Sequence, residues 1–333
     1  MSDHALVIGG TRFIGRHTVE EFLDAGYDVT IFNRGNHDNP FAGDDRVAHV
    51  SGDRTNEAEL RRAGLDIDPD VVVDCVAYYP RDVHTATDIF SDVDAYVYIS
   101  SGAAYGDERI PKREGGGETA LCDCSTEQAV DDSMDSYGPR KAEGDRAVFA
   151  AADRGVNAMA VRPPVVYGPY DYTERFNYWI DRVENHDRIV VPGDGTNLWH
   201  LVYVQDVASA LRTVAEEGAA GEAYNVGDGH APVLGEWVEL LADACDTDVE
   251  TVHASERELG AVGLSLDDFP IYRGYPHLLE TSKLRSLGWE STPHETALAE
   301  TVEDYRNSER TGRDNGPDRE TEARLLDVLE TVQ

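Results

Sequence analysis

The chain has 333 residues, enough for one large or two modest folded units, and sets 65 acidic against 29 basic residues for a formal charge of −36. Such a surface repels phosphate backbones, which argues against nucleic-acid binding, and no apolar stretch is long enough for a membrane span. Four cysteines are too few for a disulfide framework, and Met1-Ser2-Asp3-His4 has no basic signal-peptide character, so a reducing, cytoplasmic setting is expected.

In chain order, Ala5–Ile8 reads as a strand, Phe13–Asp24 as an amphipathic helix and Asp28–Asn33 as a second strand, together a βαβ unit. Apolar runs follow at Val47–Val50, Val71–Val76, Ala95–Ser100 and Met159–Arg162, with helix-like segments between several of them. Strands separated by helices predict an α/β fold, a doubly wound parallel sheet of Rossmann type with its ligand crevice at the C-terminal ends of the strands. Residues 1–163 form that domain. Residues 164–306 loosen into loops rich in Gly, Pro and aromatics, with short helices at Val207–Glu217 and Leu234–Ala244. They predict a smaller substrate-binding part that returns strands and helices to the Rossmann core. Residues 307–333 are a polar linker and a terminal helix, Arg319–Val332, with Ala323, Leu326, Leu329 and Val332 at helical spacing.

The acid is dispersed, only Lys112, Lys141 and Lys283 are lysines, and 41 % of the residues are hydrophobic, so the charge reads as a solvated surface and not as disorder. The pattern resembles proteins adapted to molar salt, where a Debye length of about 3 Å screens self-repulsion.

The first strand runs into Gly9-Gly10-Thr11-Arg12-Phe13-Ile14-Gly15 and then a helix. Gly9 permits a tight turn and Gly15 a close helix–strand approach, while the helix N-terminus offers free N–H groups to a pyrophosphate. Arg12 stands where the usual fingerprint has its middle glycine. At the end of the second strand an NAD site usually offers a carboxylate to the ribose, but here the chain reads Phe32-Asn33-Arg34-Gly35. Arg34, with Arg12, suits a 2′-phosphate, which favours NADP over NAD; Arg34 equally suits a plain turn. After the third strand, Asp53-Arg54 is placed to touch an adenine edge or to form an acidic turn.

Ala95–Ile99 ends in Ser100-Ser101-Gly102-Ala103-Ala104-Tyr105-Gly106, and Tyr137-Gly138-Pro139-Arg140-Lys141 opens a later helix. A four-residue step puts Lys141 on the face of Tyr137. A phenol titrates near 10, so a fixed cation beside it is what makes a tyrosinate available at working pH. Cys122-x-Cys124 reads as free thiols, since a structural zinc site needs about four ligands, and no metal is expected. His200 reads as a packed neighbour of Trp199 or a substrate-pocket donor, Asp206 as structural, and Gly193–Gly195 as a turn.

On these residues the sequence resembles the extended short-chain dehydrogenase/reductase superfamily, in its nucleotide-sugar epimerase and dehydratase branch. Further matches are Arg162-Pro163-Pro164-Val165-Val166-Tyr167-Gly168-Pro169, Val202–Val207, Tyr224–Gly227, Ser282-Lys283-Leu284 and Leu287-Gly288-Trp289. The form of the glycine loop is similar to an atypical branch that includes chloroplast stem-loop RNA-binding proteins, whose RNA binding a charge of −36 does not suit. The resemblance implies a hydride relay in which Tyr137 is the acid/base, Ser101 bonds the reacting oxygen, and Lys141 also holds the nicotinamide ribose; Pro163 joins the cofactor residues. It implies a homodimer packed through helices near Asp82–Phe90 and Tyr137–Ala150. Sugar 4,6-dehydratases place an Asp-Glu pair after the catalytic Ser or Thr, and here those positions are Gly102 and Ala103. Epimerase-reductases keep a cysteine near this turn, at the place of Ala103. The arginine that grips a nucleotide's phosphate is replaced by Trp199-His200, with Arg175 and Arg273 as substitutes. The expectation is an NAD(P)-dependent epimerase or oxidoreductase acting on a sugar or nucleotide-sugar. The alternatives are a dehydrogenase or reductase that exchanges NADP with solvent, and a non-catalytic nucleotide-binding protein.

Overall fold

In the computed structural model, which describes residues 3–115 and 119–332, the apolar runs of the first half become parallel strands. Met1, Ser2 and the side chain of Val332 lie outside the described residues. The main elements are β1 (His4–Ile8), α1 (Phe13–Asp24), β2 (Asp28–Asn33), β3 (Val47–Ser51), α2 (Glu57–Ile67), β4 (Val71–Asp74), α3 (Pro80–Ile89), β5 (Ala95–Ile99), α4 (Tyr137–Asp153) and β6 (Ala158–Arg162). There follow β7 (Val165–Tyr167), α5 (Arg175–Asn185), β8 (Arg188–Pro192), β9 (Leu201–Tyr203), α6 (Val204–Glu217), β10 (Ala223–Asn225), α7 (Leu234–Cys245), β11 (Glu250–Ala254), α8 (Glu256–Gly260), α9 (Ser282–Arg285), α10 (His294–Arg306) and α11 (Arg319–Val332).

The chain divides into two compact units. The first joins Met1–Pro164 with Val204–Gly227 and Leu279–Ser291; the second joins Val165–Tyr203, Asp228–Leu278 and Thr292–Gln333. In the first unit seven strands pair in the order β10-β6-β5-β4-β1-β2-β3, every neighbouring pair parallel. β4, β5 and β6 are buried along their whole length, which follows from helices covering both faces of a parallel sheet. α1 packs on α6, and α3 packs on α4. The strand order reverses between β1 and β4, the switch point at which such sheets open their ligand crevice. This is the Rossmann-like α/β fold expected from the alternating pattern.

The second unit holds the parallel pairs β7–β9 and β8–β11 around an aromatic core, with the Tyr167 and Phe176 rings 4.8 Å apart and Phe176 edge-on to Trp237 at 5.4 Å. More is regular here than the loops and short helices read from the sequence. α5 is the main addition. Its Phe176, Trp179, Ile180 and Val183 recur at helical spacing, the polar residues among them are buried as well, and its buried Arg182 pairs with Asp181 at 2.8 Å and Glu322 at 2.9 Å. Among the described residues no helix is long and apolar enough to cross a membrane.

Candidate active site

The glycine loop is shaped from both sides. Gly9 and Gly10 adopt φ of 118° and 83°, where a β-carbon is strained, and Gly9 donates its N–H to Phe32 O at 3.0 Å. A β-carbon on Gly15 would lie 2.6 Å from Gly10 N, so α1 can sit on the loop only without a side chain there. Asn33, at the end of β2, donates to Gly9 O at 3.0 Å and Thr11 Oγ1 at 3.5 Å, while its Oδ1 accepts from Gly35 N at 2.8 Å. Arg12 is the exposed N-cap of α1 but supplies no side-chain cap, Phe13 follows it with φ of 38°, and Ile14 O accepts from Thr18 Oγ1. The first N–H groups of α1 are therefore presented without a capping side chain, the arrangement that accepts a pyrophosphate. Gly15→Ala is expected to raise the dissociation constant for a nicotinamide dinucleotide by about tenfold or more and to lower the melting temperature, since overpacking costs about 1–3 kcal/mol. Cofactor fluorescence titration and thermal unfolding check both.

At the ends of β2 and β3 the expected cofactor residues separate into two groups. Arg34 is exposed, and Arg12 Nη1 lies 3.3 Å from His37 Nε2. Asp53 accepts from Thr55 N and Oγ1 at 2.9 and 2.8 Å, which, with a smaller contribution from the Arg34 charge, holds its carboxyl below the usual range. Arg54 is otherwise engaged. It is buried, with its guanidinium paired to Asp74 and 3.2 Å from Asp82, so its charge belongs to an interior cluster.

Ser101 lies just past β5 as the N-cap of a tight turn over Gly102–Ala104, and its Oγ accepts from Ala103 N at 3.1 Å. The next amide, Gly102 N, donates to Pro163 O at 2.8 Å, which ties the turn to the chain leaving β6. Half-buried Tyr137 begins α4. The helix meets the Ser101 turn backbone to backbone: a β-carbon on Gly138 would be 2.5 Å from Ala103 O. One turn on, buried Lys141 donates Nζ to Ile99 O at 2.8 Å and Ala77 O at 3.0 Å, bridging the C-terminal ends of β4 and β5. Its ammonium lies 5.9 Å from the Tyr137 ring centre and 4.8 Å from that of Tyr98. Burial pulls the Lys141 pKa down to about 8 against the opposing charges of Asp74 and Asp145.

A buried chain of polar groups fixes these parts to one another, and it was not anticipated. Arg162, at the end of β6, donates Nε to Asp145 of α4 at 2.9 Å and Nη1 to Tyr105 OH at 2.9 Å; Tyr105 OH donates to Asn225 Oδ1 of β10 at 2.8 Å. One guanidinium thus holds both the helix that carries Tyr137 and Lys141 and the turn that carries Ser101. Arg162→Met leaves a fully buried Asp145 without its cation, for which a loss on the order of 3–5 kcal/mol is expected. Chemical denaturation would show it as a lower midpoint at unchanged slope.

Within the second unit, His200 is buried and donates Nε2 to Asp228 O at 2.9 Å, Arg273 lies 5.5 Å over the Trp199 ring, and Arg175 donates to Thr173 Oγ1 at 3.3 Å. In the first unit, Asp206 O accepts from Trp289 Nε1 at 3.2 Å. The four cysteines are unpaired, with Cys122 Sγ 3.6 Å from Ala103 O.

A parallel sheet with a glycine-rich loop at its switch point, and Ser, Tyr and Lys gathered at the strand ends, defines an enzyme of the short-chain dehydrogenase type. Residues 5–227 match the NAD dependent epimerase/dehydratase family, and the chain belongs to that family. It is 28% identical over 237 residues to the chloroplast stem-loop binding protein of 41 kDa b of Arabidopsis thaliana, covering 66% of this chain but only 57% of the plant protein's length. It is likewise 28% identical over 317 residues to the low-salt glycan biosynthesis protein Agl12 of Haloferax volcanii, covering 86% of this chain and 92% of that protein. The crystal structure of dTDP-glucose 4,6-dehydratase from Bacillus anthracis in complex with NAD superposes with a TM-score of 0.72 at 22% identity, over 92% of this chain and 98% of that one.

Proposed function

We propose that the chain is an NAD(P)-dependent epimerase or oxidoreductase acting on a sugar or nucleotide-sugar, with Tyr137 as the acid/base. The observation that carries this reading is the convergence of Ser101, Tyr137 and the Lys141 ammonium at the ends of β4 and β5. A bound nicotinamide supplies the hydride acceptor and donor. Tyr137 takes the proton of a substrate hydroxyl, and the Lys141 charge favours the tyrosinate that does so. Ser101 Oγ already accepts from Ala103 N, so its proton is left to donate to the substrate oxygen as charge develops there. Gly9, Gly10, Thr11, Arg12, Phe13, Ile14 and Gly15 cradle the pyrophosphate, Asn33 holds their shape, and Pro163 O sets the Ser101 turn. Gly102 and Ala103 carry no carboxyl groups for eliminating water, which favours epimerisation or simple oxidation over dehydration.

Arg34 and Arg12, with no carboxylate at the end of β2, support NADP over NAD. Arg34→Ala is expected to raise the NADPH dissociation constant about tenfold, the worth of one charge-assisted hydrogen bond, and to leave NADH within about twofold. The reading also makes the protein a homodimer through α3 and α4, which light scattering would report as twice the 36.6 kDa chain mass. The surface charge of −36 speaks against an RNA partner.

The deciding experiment incubates the protein with UDP-, dTDP- and GDP-hexoses and with free sugars, each with NAD and NADP. Interconversion of epimers without net reduction of the cofactor marks an epimerase. Accumulation of reduced cofactor marks a dehydrogenase, the second reading. Neither product with any substrate or cofactor would sink both.

A further inference from the structure

Four side chains able to carry positive charge, Arg12, Arg34, His37 and His49, gather beside the glycine loop of a chain with a net charge of −36. Arg12 Nη1 lies 3.3 Å from His37 Nε2. A guanidinium has only donors, so in this contact Nε2 is the acceptor. Two fixed cations stand beside it, Arg12 and Arg34, and Arg12 is the N-cap residue at the positive end of α1. Asp53, held ionised by Thr55, and Asp38, next in the chain, oppose them. His49 is turned to a different partner, donating Nε2 to Asn33 Oδ1 at 3.0 Å.

We propose that His37 is a third member of the 2′-phosphate site and closes on that phosphate as an imidazolium, so that binding NADP(H) takes up a proton. This rests on the NADP reading above. A dianion between Arg12 and Arg34 reverses the local field: the Arg12–His37 hydrogen bond gives way, Arg12 donates to phosphate oxygen, and Nε2 gains a proton from solvent and donates to the phosphate as well. NADH has no phosphate there and leaves the Arg12–His37 contact in place. The sign follows from linkage. A ligand that prefers protonated His37 binds more weakly as pH rises past the ordinary histidine pKa of about 6.5, and the phosphate's own second ionisation near 6 lies below that window.

The test is fluorescence titration of the full chain with NADPH and with NADH at fixed ionic strength, from about pH 6.5 to about pH 8.5, for the wild type, His37→Gln and His49→Gln. The expected result is a rise in the wild-type NADPH dissociation constant of about tenfold across that range, with NADH constant within about twofold. His37→Gln should flatten the NADPH dependence and His49→Gln should keep it. Calorimetry in two buffers of different ionisation enthalpy should show proton uptake with NADPH in the wild type and none in His37→Gln. A wild-type slope retained in His37→Gln, or NADPH binding that is pH-independent yet tighter than NADH, overturns the role of His37 alone. NADPH no tighter than NADH at every pH overturns the NADP reading on which it rests.

Discussion

Tyr137→Phe is expected to lower turnover by a factor of about 10²–10⁴, the usual worth of a positioned acid/base, while NADPH affinity stays within about twofold. The substitution keeps the ring that lies 5.9 Å from the Lys141 ammonium and keeps the start of α4, so the loss reads the hydroxyl alone. Tyr137 is half-buried, whereas Tyr96 and Tyr98 are fully buried and their phenols are pushed well above the ordinary value by that burial. Of these three phenols, only Tyr137 is open to a substrate. Steady-state kinetics with whichever sugar is turned over, paired with cofactor titration, make the measurement. Full activity in the variant would remove Tyr137 from the chemistry and leave Ser101 and Lys141 without a partner.

Lys141→Met is expected to lose at least about a hundredfold in turnover, and the wild type to lose activity as pH rises above about 8, where the ammonium gives up its proton. Stability moves the other way. The folded pKa of about 8 lies below the ordinary 10.5, so the unfolded chain holds this proton more tightly, and burying the charge is a cost at neutral pH. That cost is relieved as pH rises from about 8 towards 10.5. The difference in unfolding free energy between wild type and Lys141→Met should therefore shift towards the wild type over that window, by up to about 3 kcal/mol. Taking the difference cancels the other titrating groups, which are common to both. A pH-independent difference would mean that Lys141 keeps its ordinary pKa in the folded protein and stays charged through that window.

The first half of the fold was legible because each strand of a covered parallel sheet is an uninterrupted apolar run and each intervening helix keeps its stripe. Phe13–Asp24 and Asp28–Asn33 form with the bounds the periodicity gives them. The second half was legible only in part: the helices read at Val207–Glu217, Leu234–Ala244 and Arg319–Val332 form as α6, α7 and α11, but α5 and the short strands were not read. α5 buries Asn177, Asp181 and Arg182 together with its aromatics, and β10 is only Ala223–Asn225. The period of Phe176, Trp179, Ile180 and Val183 was there but lay among polar residues that are buried too, and a three-residue strand has no period to read. The glycine loop, Ser101, Tyr137 and Lys141 stood out because their spacing is tied to their chemistry. Asp145 did not, since one more acid in so acidic a chain carries no signal. The cue was there in part: Asp145 is one helical turn beyond Lys141, on the same face. Arg54 shows the opposite failure, a basic side chain in the right loop whose charge is taken up by Asp74 and Asp82.

The seven-stranded sheet has a bearing on how the protein is made. β10, which closes the β6 edge, reaches the ribosome's exit only after Val165–Tyr203 and α6 have been synthesised. Until then β6, buried at every residue in the finished sheet, presents an unpaired apolar edge. A chain released after Pro164 would therefore be prone to edge-to-edge association, and during synthesis protection of β6 amides from exchange would lag behind that of β1 and β2. The nucleotide-binding unit is compact in space but split in time, and a cut after β6 would give an aggregating fragment instead of a smaller working domain.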